Sequence, residues 1–284
     1  RTSMTPLEFL AVVLPSPEYG YYCAAELSTK QKEHIYVTAL EEFYPTVDRW
    51  VDEEKNVFFA LATFENNTSR KAENAAFVKS LFIDMDGYAS KRQAALALHA
   101  FLVETGLEEL GMPWVVASGG GLHCYWPFTK ALPKDDWKLI AESFKRLCKQ
   151  CKLNIDMTVT ADAARVLRIP GTRNFKEKYP TPREVKLMTE GAVFDPEILS
   201  DLIVSKLVIQ PVQPAKLDLP GKRPDAAPVP TATTAKMFEN SVTKFKNILV
   251  KTKAGNGCAQ LKHFVENAEE DGMEPLWRGW LSIA

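Results

Sequence analysis

Residues 79–86 read Lys79-Ser80-Leu81-Phe82-Ile83-Asp84-Met85-Asp86, an apolar run that ends in two carboxylates one residue apart. The run is short and β-prone, so it reads as a buried strand. On a strand, side chains two positions apart share a face. Asp84 and Asp86 then project together from one edge. Two anions that close repel, and one is driven towards protonation unless a cation sits between them. A hard divalent ion, Mg²⁺ or Mn²⁺, resolves the conflict because such ions prefer oxygen ligands.

Working outward, residues 56–64 (NVFFALATF) form a second β-prone apolar run, read as one buried strand. Residues 68–76 are polar, a loop or helix. Residues 5–50 read as mixed helix and loop, with a turn-rich aromatic patch around Pro15, Pro17, Tyr19, Gly20, Tyr21 and Tyr22. Downstream, Ala94, Leu96, Leu98, Leu102 and Val103 at helical spacing predict a helix over 91–109, followed by Gly111 and Pro113. Strands follow at 114–117 and 122–126, then a helix over 133–152 with Pro133 near its start. Short strands at 166–169 and 184–188 and a closing helix over 195–207 complete a mixed α/β (α+β) domain spanning 1–207. Six prolines fall within residues 210–230, so 208–235 reads as a semi-extended linker. Residues 236–284 are helical in character. They end inside an apolar segment, Leu281-Ser282-Ile283-Ala284, which reads as a piece of a longer protein.

The chain has 284 residues, 46% hydrophobic and 25% charged, which argues against collagen, coiled coil and wholesale disorder. No apolar run approaches the ~18 residues of a membrane span. The five cysteines are an odd, scattered set, which points to a reducing, cytoplasmic setting rather than a disulfide framework. Cys148 and Cys151 form a C-x-x-C inside a helical stretch with no partner pair at zinc-finger spacing, and read as packing or surface thiols. Net charge is −1, but residues 1–64 carry 5 basic and 10 acidic side chains, whereas residues 130–190 carry 14 basic and 8 acidic. A local basic surface of that kind can hold a polyanion.

Two further stretches carry chemistry. Ser118-Gly119-Gly120-Gly121-Leu122-His123 follows a strand. Glycines let the backbone bend tightly and approach a ligand, and successive N–H groups in such a turn make an anion-binding nest. His123 lies where it could donate to a phosphate oxygen. Residues 154–176 then supply Asp156 and Asp162 as candidates for a third carboxylate, and Arg165, Arg168 and Lys176 to offset triphosphate charge.

Carboxylates on one strand, a glycine turn ending in His, and an Asp followed by R-x-L-R-I-P-G-T-x-N-x-K together resemble the archaeo-eukaryotic primase superfamily. Within it the likeness is to the primase-polymerase branch of phages, plasmids and mobile elements. It runs from about Phe58 to Lys186. The resemblance implies an RRM-like catalytic core with an N-terminal α/β unit, and two-metal nucleotidyl transfer on a single-stranded DNA template from NTPs or dNTPs. It implies Asp84, Asp86 and Asp156 as catalytic metal ligands for two Mg²⁺ or Mn²⁺ ions, His123 as the nucleotide-phosphate histidine, and Arg168 and Lys176 as the basic positions near the triphosphate. It also implies a bacterial host cell, a small helical C-terminal domain over 236–284, and a helicase domain or partner. The family often carries Ser two residues before the His; here that position is Gly121, so a backbone N–H or Ser118 must take its place. A non-catalytic replication initiator or nucleic-acid-binding module is the alternative. Phe82-Ile83-Asp84-Met85-Asp86-Gly87 also resembles the haloacid-dehalogenase phosphatase motif, but Tyr88 replaces the usual Thr and no G-D-x-x-x-D follows.

Overall fold

The computed structural model describes residues 4–28 and 32–207. The linker of 208–235 and the helical domain of 236–284 expected from sequence lie outside the described residues. The elements run α1 (Pro6–Val13), β1 (Tyr22–Glu26), β2 (Glu33–Val37), α2 (Tyr44–Asp52), β3 (Val57–Ala60), β4 (Ala62–Phe64) and β5 (Ala75–Met85). They continue with α3 (Lys91–Thr105), β6 (Trp114–Ala117), β7 (Leu122–Pro133), α4 (Lys134–Gln150), β8 (Val166–Arg168), β9 (Arg173–Asn174), β10 (Arg183–Glu184), β11 (Lys186–Thr189) and α5 (Pro196–Lys206).

A five-stranded sheet has the order β11-β6-β7-β5-β4 and a four-stranded sheet the order β2-β1-β3-β8. All pairs are antiparallel. In the larger sheet β5, α3, β6, β7 and α4 follow one another along the chain, β11 returns after β8–β10 to close one edge beside β6, and β4 closes the other beside β5. The mixed α/β class expected from sequence is the observed one. In this register Asp84 faces His123 on β7, and Val116 on β6 faces His123 from the other side.

Local chemistry fixes the helix ends. Thr5 and Glu8 form a reciprocal capping box on α1, and Ser90 and Asp195 accept backbone N–H groups at the starts of α3 and α5. Gly106 closes α3 at φ 72°, a left-handed conformation that favours glycine.

Aromatic residues join the layers. Trp126 meets Phe144 of α4 edge-on at 4.9 Å, and Phe144 meets Phe101 of α3 at 6.1 Å. Tyr125, the next residue along β7, points the other way. It packs on Phe9 of α1 at 5.3 Å and Phe59 of β3 at 6.4 Å, so it ties the two sheets together. Such rings bury about 150–250 Å² each and dominate core energetics. Tyr125 and Trp126 are fully buried, so both are core residues and not base-stacking platforms. Trp137 anchors the start of α4 by donating Nε1–H to the Ser80 carbonyl at 2.8 Å.

Several sequence expectations shift. The run at 56–64 is not one strand. β3 pairs with β1 and β8, whereas β4 pairs with β5, and the chain changes sheet at Leu61, whose N–H donates to the Arg165 carbonyl. The region read as helix and loop contains β1 and β2. Every residue of β1 is buried, so no alternation marks it. The strand at 184–188 is two strands, β10 and β11, parted at Val185. Cys148 is buried and Cys151 half-buried, and both are free thiols.

Candidate functional site

A cavity of about 570 Å³ opens between the two sheets, and its lining mixes the acids Asp84, Asp86, Asp156 and Asp162 with Arg70, Arg165, Arg168, Lys176 and His123. Asp84 is the penultimate residue of β5, and Asp86 follows the strand end. The loop that carries Asp156 is stitched to that strand, because Asp156 N–H donates to the Asp84 carbonyl at 2.9 Å. The Asp156 carboxylate accepts Thr158 N–H at 2.9 Å, Thr158 Oγ1–H at 2.6 Å and Arg165 Nη2–H at 3.3 Å. Asp162 instead uses its carboxylate on the Ala164 N–H, a local turn.

Burial, together with the negative charges of Asp86 and Asp156, pushes the Asp84 carboxyl up to about 6. Hydrogen bonds from Thr158 hold Asp156 below the usual carboxylate range. Asp84 and Asp86 therefore form an all-oxygen donor pair under electrostatic stress, which suits a hard divalent cation. Among the described residues no three His, Cys, Asp or Glu side chains converge into a metal-binding group.

The stress has a measurable sign. Without metal the folded protein keeps a proton on Asp84 up to about pH 6, against an ordinary value of 3.8. The folded state thus binds more protons in that window, and its stability falls as pH rises through it. Asp84→Asn removes the penalty and should stabilise the metal-free protein at pH 8 by about 2 kcal/mol. Urea unfolding in EDTA checks this. Added Mg²⁺ should raise the midpoint of the wild type and leave that of the variant unchanged.

Beside Asp84 on the neighbouring strand, His123 is buried and has no partner on Nδ1. Burial and the Arg168 charge drive its pKa down to about 3. The imidazole is therefore neutral at pH 7, and the 3.7 Å approach of Nε2 to Asp84 is not an ion pair. A neutral ring still offers one N–H to a phosphate oxygen. Arg168 is also buried. Its Nη1 donates to Asn56 Oδ1 at 2.8 Å, its guanidinium lies 4.6 Å from the centre of the Phe58 ring, and its Nη2 has no partner. Burial lowers its pKa to about 10, which leaves it charged.

The glycine turn is braced by its own hydrogen bonds. Ser118 N–H donates to the Gly121 carbonyl at 3.0 Å, and Gly121 N–H donates to Ser118 Oγ at 3.1 Å, so the Gly121 donor is spent inside the turn. A Cβ on Gly121 would overlap the Met85 carbonyl oxygen and lie 3.1 Å from Asp86 Cα. Glycine is required there because β7 passes directly against the carboxylate strand. Ser118 and Gly120 line the cavity, whereas Gly119 packs against Asn174 and Arg183.

Sequence reasoning missed Phe58, Arg70 and Tyr179, which also line the cavity, as does Asn174 of the Pro-Gly motif. Asn174 Nδ2 donates to the Ser118 carbonyl at 3.0 Å and thereby joins the glycine turn to the Lys176 segment. Of the basic residues of 130–190, Lys130 is instead paired with Glu197 at 3.0 Å, and Lys134 donates to the Ala72 carbonyl at 3.1 Å.

No family model matches the chain. A curated relative, a replication protein of Clostridium perfringens, is 31% identical over 130 residues. The match takes in 44% of this chain and spans 30% of the relative's length. Solved structures of similar fold include the primase-polymerase domain of cyanophage S-2L, 16% identical with a TM-score of 0.49, covering 69% of this chain and 94% of that one. Primase RepB′ is 14% identical with a TM-score of 0.48, covering 71% of this chain and 62% of that one. Among the described residues no helix is long and apolar enough to cross a membrane.

Proposed function

We propose that the chain is a primase-polymerase that adds nucleotides to a strand paired with single-stranded DNA, using NTPs or dNTPs and Mg²⁺ or Mn²⁺. The observation that carries this reading is one cavity whose lining brings Asp84, Asp86 and Asp156 together with His123, Arg168 and Lys176. A relative named a replication protein supports the same reading.

The lining is balanced, with four acids and four cationic side chains. A polyanion binds such a cavity well only when the acids are neutralised, so metal and nucleotide binding are linked. Asp84, Asp86 and Asp156 would hold the divalent ions, which when bound supply Lewis-acid neutralisation of charge at the reacting phosphoryl group. The remaining work falls to the chain itself. The unpartnered Arg168 Nη2 and Lys176 bind the triphosphate, and Arg does so with a geometry that Lys lacks. Neutral His123 donates one N–H to a phosphate oxygen. Tight packing of Gly121 on Met85 fixes the strand end that carries Asp84 and Asp86. Catalysis is then mainly positioning and charge stabilisation.

The test is extension of a labelled primer on single-stranded DNA with NTPs or dNTPs and either metal. Divalent-dependent products are expected, and products made without primer add priming to the activity. DNA binding with no incorporation under any condition would instead favour the non-catalytic nucleic-acid-binding module. Hydrolysis of p-nitrophenyl phosphate without incorporation would favour the phosphatase.

A further inference from the structure

Asn56 lies just before β3, outside the cavity lining, and no motif points to it. Its side-chain oxygen nevertheless accepts two hydrogen bonds from separate segments. Arg168 Nη1 donates at 2.8 Å and the Phe175 backbone N–H at 3.0 Å. Its own backbone is held as well, since Asn56 N–H donates to Ser28 Oγ at 2.5 Å and the Asn56 carbonyl accepts the Leu27 N–H at 3.3 Å. One carbonyl oxygen on a fixed strand end thus clasps the guanidinium at the end of β8 and the backbone one residue before Lys176.

The consequence for Arg168 is specific. The residue is 3% exposed, so its five N–H groups have few places to go. The Asn56 oxygen holds one edge of the fork, the Phe58 ring covers its face, and the unpartnered Nη2 remains for a ligand. A neutral acceptor suits this task. A carboxylate in that place would neutralise the charge that an anion must meet, whereas the amide oxygen orients the fork and leaves the charge intact.

We infer that Asn56 is a positioning residue for the triphosphate, aiming Arg168 and the Lys176 segment at the same anion. The inference rests on the reading of Arg168 as a nucleotide-phosphate ligand. Asn56 touches no substrate itself, so its loss should appear in nucleotide affinity and KM more than in kcat.

The experiment measures binding of ATP and dATP to the full chain in Mg²⁺ by calorimetry, without template, so that no reaction occurs. Asn56→Leu, which matches the volume but offers no acceptor, should weaken binding roughly 10- to 100-fold, the range of a hydrogen bond to a charged group. Arg168→Leu should weaken it at least as much. The double variant should be no worse than Arg168→Leu alone, because Asn56 acts through that side chain. Asn56→Asp, which keeps both hydrogen bonds but offsets the cation, should recover folding stability without recovering nucleotide affinity. If Asn56→Leu does not fold, Asn56→Ser, whose hydroxyl is too short to reach both donors, gives the same comparison. Wild-type affinity in the folded Asn56 variants, or losses that simply add in the double variant, overturns the inference and leaves the Arg168 reading standing. A wild-type protein that binds neither nucleotide, or an Arg168→Leu variant that binds as the wild type does, overturns both.

Discussion

Asp84→Ala should lower nucleotide incorporation by about 10³-fold or more, the scale on which preorganised charge contributes to catalysis, while folding and DNA binding persist. The two halves of that expectation come from one observation. Asp84 sits half-buried beside Asp86 and Asp156, and its pKa is raised to about 6. An ionised carboxylate in that place is a burden on the folded state, so removing it costs little stability. Large losses of stability on substitution come from cavities, lost caps or unpaired buried groups, and Asp84 is none of these. Loss of activity with an unchanged or raised unfolding midpoint therefore assigns the residue to the chemistry. Parallel loss of midpoint and activity would make it a structural residue.

Gly121→Ser should be the second most damaging single change. Resemblance to the primase family alone suggests that serine is acceptable at this position, two residues before the histidine. The packing says otherwise. A Cβ there would overlap the Met85 carbonyl oxygen and come within 3.0 Å of its carbon. Both neighbours are backbone, so no side chain can swing aside. The forced displacement falls on Met85 and Asp86, directly at the carboxylate pair. Overpacking of this kind costs on the order of 1–3 kcal/mol, and a misplacement of about 1 Å at a catalytic group costs roughly 100-fold in rate. Denaturant unfolding and primer extension on the same preparation check both figures. Ser118 already supplies a hydroxyl to the turn, accepting the Gly121 N–H at 3.1 Å. A second hydroxyl at 121 therefore has no vacant task. A Gly121→Ser protein of wild-type stability and rate would show that β7 and β5 can part without harm.

What the sequence made legible follows from short-range periodicity. Asp84 and Asp86 were readable because a strand repeats every two residues and an apolar run preceded them. The candidates Ser118, His123, Arg165, Arg168 and Lys176 also line the cavity, because polar residues in turns beside β-prone runs are rarely far from a sheet end. What stayed hidden depends on long-range contact. The break between β3 and β4 at Leu61 is set by a hydrogen bond to the Arg165 carbonyl, far along the chain. β1 was missed because both its faces are covered, which erases the alternation that marks a half-buried strand. Asn56 had no signal at all, since its role arises only where Arg168 and Phe175 converge on it. In the glycine turn, composition does not tell which donors are free, and the Ser118–Gly121 hydrogen bonds use the Gly121 N–H inside the turn.

The central claim is templated nucleotidyl transfer from the cavity that joins Asp84, Asp86 and Asp156 to His123, Arg168 and Lys176. Its most direct test supplies one nucleotide at a time to a primed single-stranded DNA whose next template base is varied. The account predicts divalent-dependent addition of the complementary nucleotide in each case, absent in Asp84→Ala. Folded protein that binds the DNA but adds no nucleotide opposite any template base, with either Mg²⁺ or Mn²⁺, would contradict it.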